Sequence, residues 1–216
     1  MELIKESLIV VLKQKEGIRL SKENSDNLFN AAELLSANNF YSPAIPLLIL
    51  SAEEMIKSFA LCLEFLLGDR SEVKRIIKNS KSKRADSHLF NHVDKHELAK
   101  IIIQDLKVLS TPAIIVGIFL PANLKVSAKE FVLSSEQKEQ VEFLLSGIEK
   151  FNEIKNQGLY VGEINGEWKT PLSFDQGDYS TYREMSKTIR DIFSNKIDLF
   201  LKTGDRDLCL LVDAFT

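Results

Sequence analysis

The stretch that most constrains this chain is residues 42–67, SPAIPLLILSAEEMIKSFALCLEFLL. Serine followed by proline reads as a helix start: a cap, then a residue whose fixed φ suits the first turn. Pro46 still falls near that turn, where its missing N–H costs little. Gly68 reads as the stop. On a helical wheel of about 100° per residue, Leu47, Leu48, Ile49, Leu50, Met55, Ile56, Phe59, Leu61, Leu63, Phe65 and Leu66 point in almost every direction. A helix apolar nearly all round belongs at the centre of a fold, so the rest of the chain must wrap it. Yet this helix carries Glu53, Glu54 and Lys57. Such groups are seldom buried unless paired. Glu53 and Lys57 stand four apart and can pair along the helix. The alternative is a polar site shared with a neighbouring helix.

The segment SHLFNHVDKHE, residues 87–97, holds all three histidines, His88, His92 and His96. Glu97, Lys100, Gln104 and Lys107 share a solvated face. The histidine stripe, which also takes in Lys95 and Ala99, continues into Ile102, Ile103 and Leu106 and so turns toward the core. The expectation is a polar seam between two central helices, with Glu53, Glu54 and Lys57 on one and His92 and Lys95 on the other. His92, in mid-stripe, is expected at its centre. His88 and His96 are expected at its more exposed ends. No metal is expected: His88 and His96 lie about 12 Å apart along a helix axis, and neither His-Glu-x-x-His nor Glu-x-x-His occurs. No cofactor motif is present.

Helical periodicity dominates elsewhere. Residues 21–38, 87–109, 134–158, 178–202 and 205–214 read as helices, 71–84 as a short helix running into a basic loop, and 111–133 as irregular or partly extended. Near 159–169 the pattern changes. LYV and EWK flank Asn165-Gly166, a strong turn signal, which predicts one small β-hairpin. Only 9 glycines and 5 prolines in 216 residues disfavour a many-stranded fold. The expectation is a mostly α, antiparallel helical bundle forming one domain over residues 1–216. The net charge of −3 gives no global field for nucleic acid. The basic run of Lys74, Arg75, Lys78, Lys81, Lys83 and Arg84 is either a solvated loop or a local RNA or phosphate patch. Cys62 is expected to pack in its apolar run, and with Cys209 it builds no disulfide framework. The N-terminus lacks a secretory pattern, and the apolar run 112–122 is too short to span a bilayer. The expected location is the cytoplasm, without membrane contact.

Three stretches in order resemble the AbiV family of abortive-infection proteins. FYSPAIPLLILSAEEMIKSFAL (40–61) resembles its Glu-Glu-x-x-Lys helix. LFNHVDKHEL (89–98) resembles its Phe-x-His-x-x-Lys stretch, through Phe90, His92 and Lys95. NEIKNQGLYVGEINGEWKTP (152–171) resembles its Leu-Tyr-Val hairpin with tryptophan and proline. The resemblance covers about residues 20–200 and implies a HEPN-like bundle in antiphage defence. Lys155-Asn156 stands where a basic residue is common in such sequences, and Tyr160 joins the binding candidates. HEPN proteins are often RNases with an arginine four to six residues before a histidine. Here Arg84 precedes His88 by three intervening residues and His92 by seven, outside that spacing.

Three functions remain in view. The first is a defence effector that binds a phage or host protein, or RNA. The second is a metal-independent RNase in which His92 moves the proton and Lys57 or Lys95 stabilises the phosphorane. The third is an interaction module with no defence role. A homo-oligomer is expected from the resemblance and from the apolar tail LCLLVDAFT.

Overall fold

The structure, a computed structural model, describes residues 2–67, 95–100, 103, 135–164 and 167–203. Among the described residues four long helices make the frame: α1 (Glu2–Ala37), α2 (Tyr41–Leu67), α3 (Ser135–Leu159) and α4 (Gln176–Thr203). Residues 95–100 are also helical. Among the described residues no helix is long and apolar enough to cross a membrane. The mostly helical expectation holds.

Pairings between helices give their directions. Ser25 meets Ser51 and Ile18 meets Ser58, so α1 and α2 are antiparallel. Tyr41 meets Tyr179, Phe59 meets Phe193 and Phe65 meets Phe200, so α2 and α4 are parallel. Gly158 lies against Pro46 and Lys155 reaches Glu53, so α3 opposes α2. The result is an up-down-up-down bundle. As its all-round apolarity requires, α2 packs on α1, α3 and α4 at once. Ala44, Ile45, Leu48, Ala52, Met55, Ile56, Ala60 and Leu63 are all buried, and Cys62 packs among them.

The α1–α2 seam is tight because its contact residues are small. Ser25 Oγ donates to the Ser51 carbonyl at 2.7 Å, and Ser51 Oγ donates to the Ser25 carbonyl at 2.8 Å. Ser58 Oγ donates to the Ile18 carbonyl at 2.8 Å. Each hydroxyl is thereby satisfied inside the core, where an unpaired one costs about 1–3 kcal/mol. The turn between these helices is a Schellman closure. Asn39 takes a left-handed φ of 62°, its N–H donates to the Ser36 carbonyl, and the Phe40 N–H donates to the Leu35 carbonyl. α1 starts far ahead of the expected residue 21. Gly17 lies inside it at a cost of about 1 kcal/mol, and a Cβ there would stand in ordinary contact with Leu61 at 3.7 Å.

Two details differ from expectation. Among the described residues, extended backbone amounts to two three-residue strands, β1 (Gly162–Ile164) and β2 (Glu167–Lys169). They pair antiparallel with Gly162 opposite Lys169 and Ile164 opposite Glu167, too little to form a sheet layer. Leu159–Val161, expected to be extended, is not. Leu159 closes α3, and the Tyr160 N–H still donates back to the Asn156 carbonyl. Ser42, expected to cap α2, lies inside that helix and its hydroxyl accepts the Phe174 N–H at 3.0 Å.

Candidate functional site

Adjacent residues on a helix diverge by about 100°, so Glu53 and Glu54 leave α2 in different directions. Each meets one member of the adjacent doublet Lys95-His96. Glu53 Oε1 lies 3.0 Å from His96 Nε2, and Glu54 Oε1 accepts from Lys95 Nζ at 3.1 Å. α3 closes the cluster from a third side: Lys155 Nζ donates to Glu53 Oε1 at 2.9 Å. Lys57 Nζ donates to the other oxygen of Glu54 at 3.1 Å. Three segments far apart in sequence therefore converge on two consecutive carboxylates.

The cluster is internal. Glu53 is fully buried, and Lys95, His96 and Lys155 are 7%, 7% and 6% exposed. Burial pushes the Glu53 carboxyl up. The hydrogen bonds and charges of His96 and Lys155 outweigh it and hold the group at about 2. Glu53 is thus ionised and can only accept, so His96 Nε2 carries the hydrogen of that bond. The His96 ring stands edge-on to Phe151 at 5.8 Å and 80°, which fixes its plane. Burial also raises Glu54, and the charges of Lys95 and Lys57 pull it below the ordinary range.

Of the residues expected in the seam, Glu53, Glu54, Lys57 and Lys95 come together here. His92 lies outside the described residues, as do Lys74, Arg75, Lys78, Lys81, Lys83 and Arg84. Tyr160 stands exposed beyond the end of α3 and is no partner of the cluster. Two expectations are corrected. Lys57 pairs with Glu54, not Glu53, because Glu53 points inward while Lys57 sits at the helix edge. His96, expected at an exposed end, is buried on Glu53.

The sequence held signals for both His96 and Lys155. His96, Ala99 and Ile103 follow the spacing of one helical stripe, and all three are buried. Val141, Leu144, Ile148 and Phe151 form the inward stripe of α3, and Lys155 continues it at the next four-residue step. A lysine on an apolar stripe requires an internal acid, and Glu53 is one.

A second polar row joins α1 to α4. Glu33 accepts from Arg183 Nε at 2.7 Å and from the Tyr179 hydroxyl at 2.6 Å. Asp26 accepts from Arg190, whose guanidinium lies 4.2 Å from the Phe29 ring centre. The acids stand seven apart on α1 and the arginines seven apart on α4, so the two helices match in register.

A family model described as AbiV, HEPN_AbiV, matches residues 13–191. No curated protein and no solved structure matches the chain. The matched span holds α2, α3 and every residue of the Glu53–Glu54 cluster. It covers well over half the sequence, and the chain belongs to the AbiV family.

Proposed function

We propose that this protein is an antiphage effector of the abortive-infection type, acting by binding a phage or host protein, or RNA, rather than by cutting RNA. Family membership supports the defence role. The observation that carries the binding reading is how the cluster's groups are engaged. His96 Nε2 is held on Glu53, Lys155 on the same oxygen, and Lys95 on Glu54. All three donors are more than nine-tenths buried. A general acid or base must come within hydrogen-bond reach of the proton it moves, directly or through one water. An RNA phosphodiester reaches none of these groups without parting three packed segments. The arrangement instead suits a lock that fixes the 95–100 segment and α3 on α2, so that the outer surfaces keep one shape.

The test uses His96→Gln, which keeps a side-chain N–H donor and removes the titratable ring. Cells expressing the wild type or this variant are challenged with a broad phage panel, and both proteins are incubated with total RNA, alone and with phage lysate. Protection by both proteins with intact RNA is the expected result. RNA cleavage by the wild type that disappears in His96→Gln would overturn the binding reading. Unchanged plaque counts across the panel would overturn the defence role.

A further inference from the structure

The end of the bundle where α1 turns into α2 carries an unusual surface. Three passages of chain are pinned together there. The Leu172 N–H donates to the Gln157 carbonyl at 2.8 Å, the Phe174 N–H donates to Ser42 Oγ at 3.0 Å, and Gly158 sits against Ser42, Pro46 and Phe174. Of nine large apolar side chains exposed among the described residues, five belong to these passages: Phe40, Leu159, Tyr160, Val161 and Leu172. The other four are spread over α1 and α3, so apolar exposure is concentrated at this pole. Tyr160 and Val161 are 62% and 58% exposed, and the Tyr160 N–H is held by the Asn156 carbonyl at 3.0 Å. Three consecutive exposed apolar residues on a fixed scaffold carry a hydration cost that a monomer does not need, and such a run marks a contact surface.

The charge around this face selects the partner. Residues 38–50 carry no charge. Between 153 and 178 the acids are Glu153, Glu163, Glu167, Asp175 and Asp178, and the bases are Lys155 and Lys169. Lys155 is turned inward onto Glu53 and adds nothing to the surface. Glu153, Glu167, Asp175 and Asp178 are exposed. An acidic rim repels nucleic-acid phosphates and draws in lysine and arginine. An apolar centre inside a charged rim is the anatomy of a protein–protein interface.

We infer that this pole is a docking surface for a basic protein segment, one that sets aliphatic or aromatic anchors on Phe40, Leu159, Tyr160, Val161 and Leu172 and places lysines or arginines on the acidic rim. The inference rests on the binding reading above and narrows it to a protein partner at a named face. Pre-pinned backbone lowers the ordering cost of association, so a short segment suffices. The basic charge raises the encounter rate and makes binding salt-sensitive.

The test uses the full chain and three probes: a labelled amphipathic leucine–lysine peptide, the same peptide with glutamate for lysine, and an unstructured single-stranded RNA. Binding is read by anisotropy and by fluorescence of Trp168, the only tryptophan, which lies in β2. The leucine–lysine peptide is expected to bind best. Tyr160→Ser/Val161→Ser, and separately Leu172→Ser, should weaken it by about tenfold or more. Glu167→Lys should weaken it too, and Leu12→Ser/Leu20→Ser, at exposed apolar positions on α1, should leave it unchanged. All variants are first shown to keep wild-type circular dichroism. The inference is overturned if RNA or the acidic peptide binds as well as the basic one, or if the pole variants bind it like wild type. It is also overturned if light scattering shows a wild-type oligomer that these variants dissolve, which would assign the face to a second copy. In infected cells the folded Tyr160→Ser/Val161→Ser variant should lose protection. Full protection by that variant would remove this face and leave the binding reading standing, whereas RNA cleavage lost in His96→Gln would remove the binding reading itself.

Discussion

At the scale of single residues, Glu53 governs the interior. One of its oxygens takes both His96 and Lys155. Removing His96 leaves Glu53 on Lys155 but short of one donor, and a buried ionised group short of a donor costs about 1–3 kcal/mol or more. His96→Ala, which also empties the space beside Phe151, is therefore expected to lower stability by about 2–4 kcal/mol, and His96→Gln, which keeps a donor, by about 1 kcal/mol. Replacing all three together, Glu53→Leu with His96→Phe and Lys155→Met, should restore much of what His96→Ala loses, since the acid and both of these donors leave at once. Urea unfolding midpoints of the variants check all three. The need for a partner was legible in sequence, because Glu53 sits on a helix apolar all round. That His96 answers it was not. The middle of the stripe points to His92, which lies outside the described residues. Burial runs back from Ile103 and Ala99 to His96. Lys155 could have been found by extending the α3 stripe past Phe151, but its partner lies 102 positions away, and that separation has no local trace.

At the scale of elements, two helix contacts depend on glycine for different reasons. A Cβ on Gly147 would fall 2.3 Å from Met185 Sδ, and one on Gly158 would fall 2.8 Å from Pro46 Cγ and 3.1 Å from the Ser42 carbonyl oxygen. The shorter contact is the easier to relieve. Met185 has three rotatable bonds and swings aside. A proline ring and a main-chain oxygen do not. The Ser42 carbonyl is also where Pro46, having no N–H, fails to bond, which leaves that oxygen facing α3. Gly158→Ala is expected to cost about 1–3 kcal/mol, and Gly147→Ala distinctly less, as thermal unfolding of the two variants would show. The positions of α2, α3 and α4 were legible from periodicity to within two residues. The first half of α1 was not, because Gly17 and scattered charges break its pattern. Leu159–Val161 misled for the opposite reason. Aromatic and β-branched residues favour strands, yet here Leu159 closes the helix and Tyr160 and Val161 follow it into solvent.

For the molecule as a whole, the two polar rows together set the pH range of stability. Glu53 titrates at about 2 when folded, against an ordinary value of 4.5. Its stabilisation is complete above 4.5 and is lost as pH falls through about 2. By linkage this amounts to about 3 kcal/mol. Glu54 is lowered as well. So is Glu33, chiefly by its hydrogen bond from Arg183, so all three acids act in the same direction. On the alkaline side, burial and the hydrogen bond to Glu33 push Tyr179 up to about 12. A raised pKa gives stability that is complete below the ordinary value of 10 and is lost as pH climbs through 12. The expected profile is a plateau from about pH 5 to 9 with an acid limb steeper than the alkaline one, since the lowered carboxyls of Glu16, Glu33, Glu53 and Glu54 act on the first and the raised phenols of Tyr179 and Tyr182 on the second. Glu53→Gln separates its share. The variant removes the buried charge that receives His96 and Lys155 and starts less stable at pH 7. It also has one fewer depressed carboxyl to protonate, so its curve must approach the wild-type curve as pH falls from 5 toward 2. Urea midpoints at pH 7 and pH 3 measure this. A constant gap between the two proteins at both pH values would show that Glu53 is not the group whose protonation releases the bundle.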